Sequence, residues 1–331
     1  MSLRRSSALV GALALALVVT GCGSSKDGSD AAGKGKTRVF AADNGKITIP
    51  ADPKRVVATG YAVPAMIEAD ASLVGISSWK RGEPLMSKKD LATYKKLPKV
   101  AGELAKETNY EAIAEAEPDL IVIGVPAPVL GDIDVQRLES IAPVVAIGPT
   151  VPSAWRKLTR KQSDAAGSLK KFDAVQKRYE AKAAKLAKKY EGVLPELKLG
   201  HVGAYGEVAK GTFQREFGNS WGTNIAEDLG AKYYGKVKKP GPGSHAVSEY
   251  PSIEELPASL RAADAITYSV QADGSVPKAV KYVMDSKLWK NLPAVKAGKT
   301  YPLRYTEAAT YGQAMKTLDA IDKSFAPLLK R

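Results

Sequence analysis

One long amphipathic stripe limits the folds open to this chain. Leu169, Phe172, Val175, Tyr179, Ala183, Leu186 and Tyr190 recur every three or four residues, with Lys, Arg, Glu and Gln elsewhere. This spacing predicts a helix with one buried face. At ~1.5 Å per residue it would reach roughly 33 Å, enough to brace two lobes. A similar pattern flanks it on both sides. Ahead of it, residues 55–59, 73–77, 119–124 and 144–148 are Val- and Ile-rich runs of strand length, separated by helical spacing at 63–71, 110–116 and 135–141. Behind it, 199–205, 265–270 and 300–303 read as strands, and 224–229, 277–292 and 308–329 as helices. Strands alternating with helices imply parallel sheets covered on both faces. The expected fold is α/β, with two Rossmann-like lobes at 37–167 and 192–331 bridged by one long α-helix at 168–191. A rigid bridge predicts slight rocking rather than wide hinge closure.

The N-terminus sets the expected compartment. Arg4 and Arg5 precede an apolar run from residue 8 to 19, the layout of an export signal. The run is shorter than the ~20 residues a membrane span needs. It ends in Val19-Thr20-Gly21-Cys22, which resembles a bacterial lipobox. Residues 1–21 are therefore expected to be a lipoprotein signal peptide, and Cys22 an acylated, palmitate-type anchor. Cys22 is the only cysteine of the chain, so no disulfide, thiolate metal site or Cys nucleophile can operate in the folded part. Residues 22–36, mostly Gly, Ser, Asp, Ala and Lys, read as a flexible tether. The net charge of +14 is spread over Lys-rich helix faces such as Lys182, Lys185, Lys188 and Lys189. In an exported protein it argues against nucleic acid as the partner, with attraction to anionic headgroups as a secondary effect.

Several ordered blocks carry a family resemblance. Asp52-Pro53-Lys54-Arg55-Val56-Val57, Leu73-Val74-Gly75-Ile76, Asn109-Tyr110-Glu111-Ala112-Ile113 and Glu117-Pro118-Asp119-Leu120-Ile121 come first. Val247-Ser248-Glu249, Ala263-Asp264-Ala265-Ile266 and the run from Leu288-Trp289-Lys290-Asn291-Leu292-Pro293 to Gly298-Lys299 follow. In order and spacing they resemble the helix-spanned siderophore- and cobalamin-binding proteins of ABC importers, from about residue 50 to the end. The resemblance implies the helix-spanned periplasmic binding protein fold. It also implies a ferric siderophore as ligand, a permease with its ATPase as partner, membrane attachment through the lipid, no resident cofactor and a monomer.

Ligands of parallel α/β sheets bind beyond the carboxyl ends of the strands, and two facing lobes place those loops across one cleft. The candidates there are Tyr61, Trp79, Arg81 and Lys106 from the first lobe. From the second come Arg215, Trp221, Tyr268, Gln271 and Tyr305, with Ser269, Arg304 and Thr306 beside them. Aromatic rings would cover the methylene arms of a ferric hydroxamate such as ferrioxamine, and a guanidinium would grip its oxygens. In related hydroxamate receptors one stretch of the second lobe supplies a Trp and an Arg. Trp221 matches that Trp, Thr223 stands where the Arg is expected, and Arg215 offers a guanidinium from the same loop. Ala105 and Lys106 lie near the place of a first-lobe Arg of some relatives. Trp289 fits the apolar side of a helix and is expected in the core.

Rival chemistries are short of residues. His201 and His245 are the only histidines, too few for a multi-imidazole zinc or manganese site. His201 is expected as an ordinary strand residue. His245 sits in Gly243-Ser244-His245-Ala246-Val247-Ser248-Glu249, which resembles a loop that donates a His to iron in some catecholate receptors. A tris-catecholate would want several converging cations, which are not plainly present; haem and cobalamin stay open. A surface lipoprotein enzyme is the reading from another class, but the chain has no His-Glu-x-x-His helix or Gly-rich phosphate loop. A merely structural tethered protein would need no aromatic and Arg residues at strand ends. The family docks on its permease through one surface Glu per lobe. Here Pro64 and Asn224 hold those positions, and Glu68 and Glu227, one turn later, are the expected substitutes.

Overall fold

Val56, Val57 and Ala58 are completely buried, as the centre of a sheet covered on both faces requires. In the computed structural model, which describes residues 35–205 and 208–330, Val56–Gly60 is the middle strand of a five-stranded sheet. The order runs Lys99–Ala101, Leu73–Ser77, Val56–Gly60, Leu120–Gly124, Val144–Ala146, and every pair is parallel. The expected signal peptide, Cys22 and the tether up to residue 34 lie outside the described residues. Among the described residues no helix is long and apolar enough to cross a membrane.

One feature of this lobe has no visible sequence pattern. Thr37–Ala42 and Gly45–Pro50 form an antiparallel hairpin that buries little beyond Phe40 and Ile49. Its turn docks on the outer strand: the Asp43 amide donates to Ala146 O at 2.8 Å, and the Asn44 side chain bonds both Val144 O and the Ala146 amide. Tying off that strand removes a free sheet edge.

The second lobe is mixed rather than parallel. Lys198–Gly203, Ala265–Ser269 and Thr300–Leu303 run parallel, but Gln214–Glu216 and Ser248–Glu249 add to the sheet antiparallel to their neighbours. The helix expected over 277–292 is two, Lys278–Asp285 and Lys287–Lys290. Ser286 interrupts it in an extended conformation, and its Oγ accepts the Trp289 amide at 3.1 Å as an N-cap. Trp289 is core, buried among Val280, Val283 and Leu292.

The bridging helix is Leu169–Tyr190, and its buried residues are Phe172, Val175, Tyr179, Ala183, Leu186 and Tyr190. They pack on the helix Tyr311–Phe325. The Tyr311 ring meets Trp155, Phe172 and Tyr179 edge-on at 4.8, 5.6 and 5.2 Å between centroids. At the far end Tyr190 Oη donates to Asp322 O at 2.9 Å, and Lys189 pairs with Asp322 at 2.5 Å. Trp155, from the first lobe's last helix Trp155–Ala165, thus shares one core with the second lobe.

Polar contacts close the junction further. Arg156 donates to Asn224 Oδ1 and O at 3.0 and 3.1 Å and pairs with Asp228 at 2.5 Å. Glu68 accepts from Thr310 Oγ1 at 2.6 Å and from the Gly312 amide at 2.9 Å, capping the helix Tyr311–Phe325 from the opposite lobe. Glu227 accepts the Asn219 amide at 2.8 Å. Glu68 and Glu227, expected on an exposed docking face, are instead partly buried and already engaged. The face was misjudged because residues 62–67, Pro64 included, are all buried and Asn224 is buried too.

Burial raises the Glu68 carboxyl from 4.5 to about 7. The folded protein therefore holds this proton more tightly than the unfolded chain does. The stability Glu68 adds is full below pH 4.5, falls as pH rises and is gone above about 7. Glu68→Gln is expected to flatten that decline, read as urea midpoints across the range. An unchanged slope would mean that the cap does not titrate there.

Candidate functional site

The carboxyl ends of the two sheets meet around four aromatic rings. Val56–Gly60 ends at Gly60, whose φ of 58° suits the residue without a Cβ. Gly124 O accepts the Tyr61 amide at 2.8 Å and sets Tyr61 at the head of the helix Ala62–Glu68. Trp79 follows Leu73–Ser77; its amide donates to Tyr94 Oη at 2.8 Å, and its ring crosses Gly82, where any Cβ would collide with it. From the other lobe come Trp221 and Tyr205, the latter held by the Gln214 side chain, which accepts its amide at 2.7 Å.

These rings form a continuous stack across the junction. Trp79 meets Tyr61 edge-on at 4.9 Å, Trp221 lies parallel to Tyr61 at 6.2 Å, and Tyr205 tilts against Trp221 at 5.3 Å. The Tyr61 and Tyr205 hydroxyls approach to 3.4 Å. Arg81 lies over both first-lobe rings, 4.1 Å from the Trp79 centroid and 4.9 Å from that of Tyr61, within cation–π range. Its pairing with Glu103, at 3.7 Å, is loose. Beside the stack lie a depression of about 210 Å³, bounded by Tyr61, Tyr205, Trp221 and several prolines, and a cavity of about 50 Å³. The cavity is lined by Tyr205, Trp221, Glu216, Glu307, Ser269 and Gln271, among others.

Of the residues expected here, Tyr61, Trp79, Arg81 and Trp221 converge, and Gln271 reaches the cavity. Arg215 does not. In Gln214–Glu216 alternate side chains point to opposite faces, and Glu216 takes the cavity side while Arg215 is buried behind the sheet. Its guanidinium donates to the carbonyls of Glu216 and Tyr234 and lies over the Phe217 and Tyr234 rings at 4.6 and 5.1 Å. Tyr268 is misplaced for the same reason: it packs with the Val202, Phe213 and Ile266 core on the far face of its strand. Tyr305, at φ 59°, turns into a separate groove of about 720 Å³ between Thr300–Leu303 and the C-terminal helix. Lys106 is exposed on a short 3-10 turn, and exposed His245 faces Tyr250 at 5.6 Å, both outside the stack.

The residues overlooked are Tyr205, Glu216 and Glu307. Tyr205 follows the strand Lys198–Gly203 and Glu307 follows Thr300–Leu303, the signal that did mark Tyr61. Glu216 was hidden because a three-residue strand is too short to show alternation. Glu216 is 1 % exposed, with its Oε2 accepting the Gly222 amide at 2.6 Å, and burial raises its carboxyl to about 7. His201 Nε2 lies 3.9 Å from it but is no counter-ion, because burial lowers the imidazole pKa to about 3 and leaves it neutral between Thr267 and Ser269. Glu307 keeps much of its surface in water, although neighbouring atoms crowd its carboxyl and raise it. That open surface makes the rise smaller than crowding alone would give.

Comparison with known proteins agrees with this architecture. Residues 56–305 match the family described as periplasmic binding protein. The chain is 27 % identical to the iron(3+)-hydroxamate-binding protein YxeB of Bacillus subtilis, over 90 % of this chain and 89 % of the relative. It is 26 % identical to the iron(3+)-hydroxamate-binding protein FhuD of the same organism, over 88 % of each. The siderophore periplasmic binding protein from the fuscachelin gene cluster of Thermobifida fusca superposes with a TM-score of 0.66 at 32 % identity, over 85 % of this chain and 99 % of that one.

Arg215→Leu tests the corrected placement. Removing a buried cation that satisfies two carbonyls should cost about 3 kcal/mol of folding stability, while affinity for a ferric hydroxamate in the folded protein stays within about twofold. A tenfold affinity loss at unchanged urea midpoint would return Arg215 to the site. A tenfold loss is about 1.4 kcal/mol.

Proposed function

The chain belongs to the periplasmic binding protein family, and we propose that it is the substrate-binding protein of an ABC importer, capturing a ferric hydroxamate siderophore between its lobes for delivery to the permease. The observation that carries this reading is the Trp79–Tyr61–Trp221 stack with Arg81 upon it, at the carboxyl ends of both sheets. In a ferric trihydroxamate the ligand's own oxygens enclose the iron, so the protein has to grip only the outside of the complex. The rings supply apolar faces for the methylene arms, and the guanidinium supplies paired N–H groups for the partly negative oxygens. The relatives are named as binding proteins, and the stack offers surface rather than a positioned nucleophile and base.

The ring stack also constrains how a ligand enters. A drug-sized ligand occupies ~300–1,000 Å³, whereas the spaces beside the stack are about 210 and 50 Å³. Binding must therefore part Tyr61 from Trp221. The Arg156–Asp228 pair and the Glu68 cap limit how far the lobes separate while this happens. A short opening about the bridging helix, with rotation of the rings, fits those ties better than wide hinge closure.

The accompanying assignments belong to the same proposal. Residues 1–21 would be the signal peptide, Cys22 the lipid anchor on the outer face of the cell membrane and 22–36 the tether. Residues 37–167, 168–191 and 192–331 would be first lobe, bridge and second lobe of a monomer.

Trp79 and Trp221 would both touch ligand, so titration of the purified protein with a ferric trihydroxamate should quench its tryptophan emission with a sub-micromolar Kd. Trp221→Ala and Trp79→Ala should each raise that Kd at least about tenfold, or ~1.4 kcal/mol. A ferric tris-catecholate, haem and cobalamin serve as comparators. Silence toward all four would end the siderophore reading.

A further inference from the structure

We propose that the cavity between Glu216 and Glu307 is a cation subsite that takes a protonated primary amine on one arm of the ligand. This rests on the hydroxamate reading and names which member of that class the cleft would prefer. Two carboxylates line one space of about 50 Å³, and among the described residues none of its other lining residues is charged. The volume suits a small head group and not a whole hydroxamate unit.

Glu216 is built into this position. Its side chain fills the room left by Gly203, where a Cβ would collide with Glu216 Oε1, and the Gly222 amide fixes Oε2. Among the described residues no Lys or Arg pairs with either carboxylate, although Arg215 acts on Glu216, and Arg81 on Glu307, from a longer distance. Arg215, next in sequence, points through the sheet to Tyr234 O, and His201 is neutral. Arg81 borders a neighbouring small space with Glu307, on the Trp79 side of the stack, and does not line the cavity. A buried carboxylate without a cation is costly, and Glu307 raises the Glu216 carboxyl further by its own charge. An ammonium group placed here would meet both carboxylates. Its third N–H would find the Ser269 or Thr306 hydroxyl or the Gln271 amide oxygen, all on the lining. The Trp221 and Tyr205 rings on the wall add cation–π attraction. The same carboxylates would repel a tris-catecholate, which carries several negative charges.

The experiment compares a linear ferric trihydroxamate bearing a free terminal amine with the same complex N-acetylated, in the full chain and at pH 8, where the free amine is cationic and Glu216 ionised. The amine form is expected to bind about tenfold tighter. In Glu307→Gln that ratio should fall below about twofold, mainly by weaker binding of the amine form. Glu307 is the safer position to alter because it is exposed, and Glu216→Gln, which keeps an acceptor for the Gly222 amide, is the second variant. Equal binding of both complexes to the unaltered protein would overturn the subsite alone, as would a ratio preserved in both variants. If neither complex binds, the hydroxamate reading itself falls and the subsite with it.

Discussion

Burial of the Phe172–Tyr190 stripe against the helix Tyr311–Phe325 is the interaction on which the rest of the structure depends. The first lobe's last helix leads into the bridge, and the chain's final helix packs along it. One apolar seam thereby sets where both sheets lie. Trp155, Phe172, Tyr179 and Tyr311 make the dense end of that seam, and Tyr190, Asp322 and Lys189 pin the other. Buried rings of this size contribute several kcal/mol each against truncation. Such a seam resists sliding, because packed interiors move between discrete arrangements rather than deforming continuously.

Carboxylates finish what the apolar seam begins. Glu68 reaches across the junction to the start of the helix Tyr311–Phe325, and Gly312 has no side chain because a Cβ there would strike that carboxylate. Glu227 does similar work within its own lobe over Gly218. Glu216 differs from both. Its backbone partner satisfies one oxygen, yet among the described residues no Lys or Arg pairs with it, and it lies against a cavity instead of a helix end. Structural acids and a candidate ligand-reading acid thus occur in one fold, and their partners tell them apart.

Much of the architecture was legible from local pattern. The bridge, Leu73–Ser77 and Thr300–Leu303 lie where periodicity places them, because the side-chain period of a helix or strand is a local property. The shared position of Tyr61 and Trp79 was also legible, since residues that follow the parallel strands of such a sheet emerge at one end of it, whereas Trp221 follows the antiparallel strand Gln214–Glu216 and was singled out by resemblance. The hairpin Thr37–Ala42/Gly45–Pro50 was not, because it buries too little to alternate visibly.

Sequence by itself therefore determined the layered α/β class, the bridge and its buried face, and the end of each sheet where a site would form. Tertiary structure alone decided which side of a strand each residue takes and what lies across from it. That separated Glu216 from Arg215, turned Tyr268 into the far core and Tyr305 into another groove, and drew Glu68 into the junction. The reason is physical: a one-residue change of face reverses every contact a side chain makes. The partner of a buried charge is chosen by packing between segments far apart in the chain.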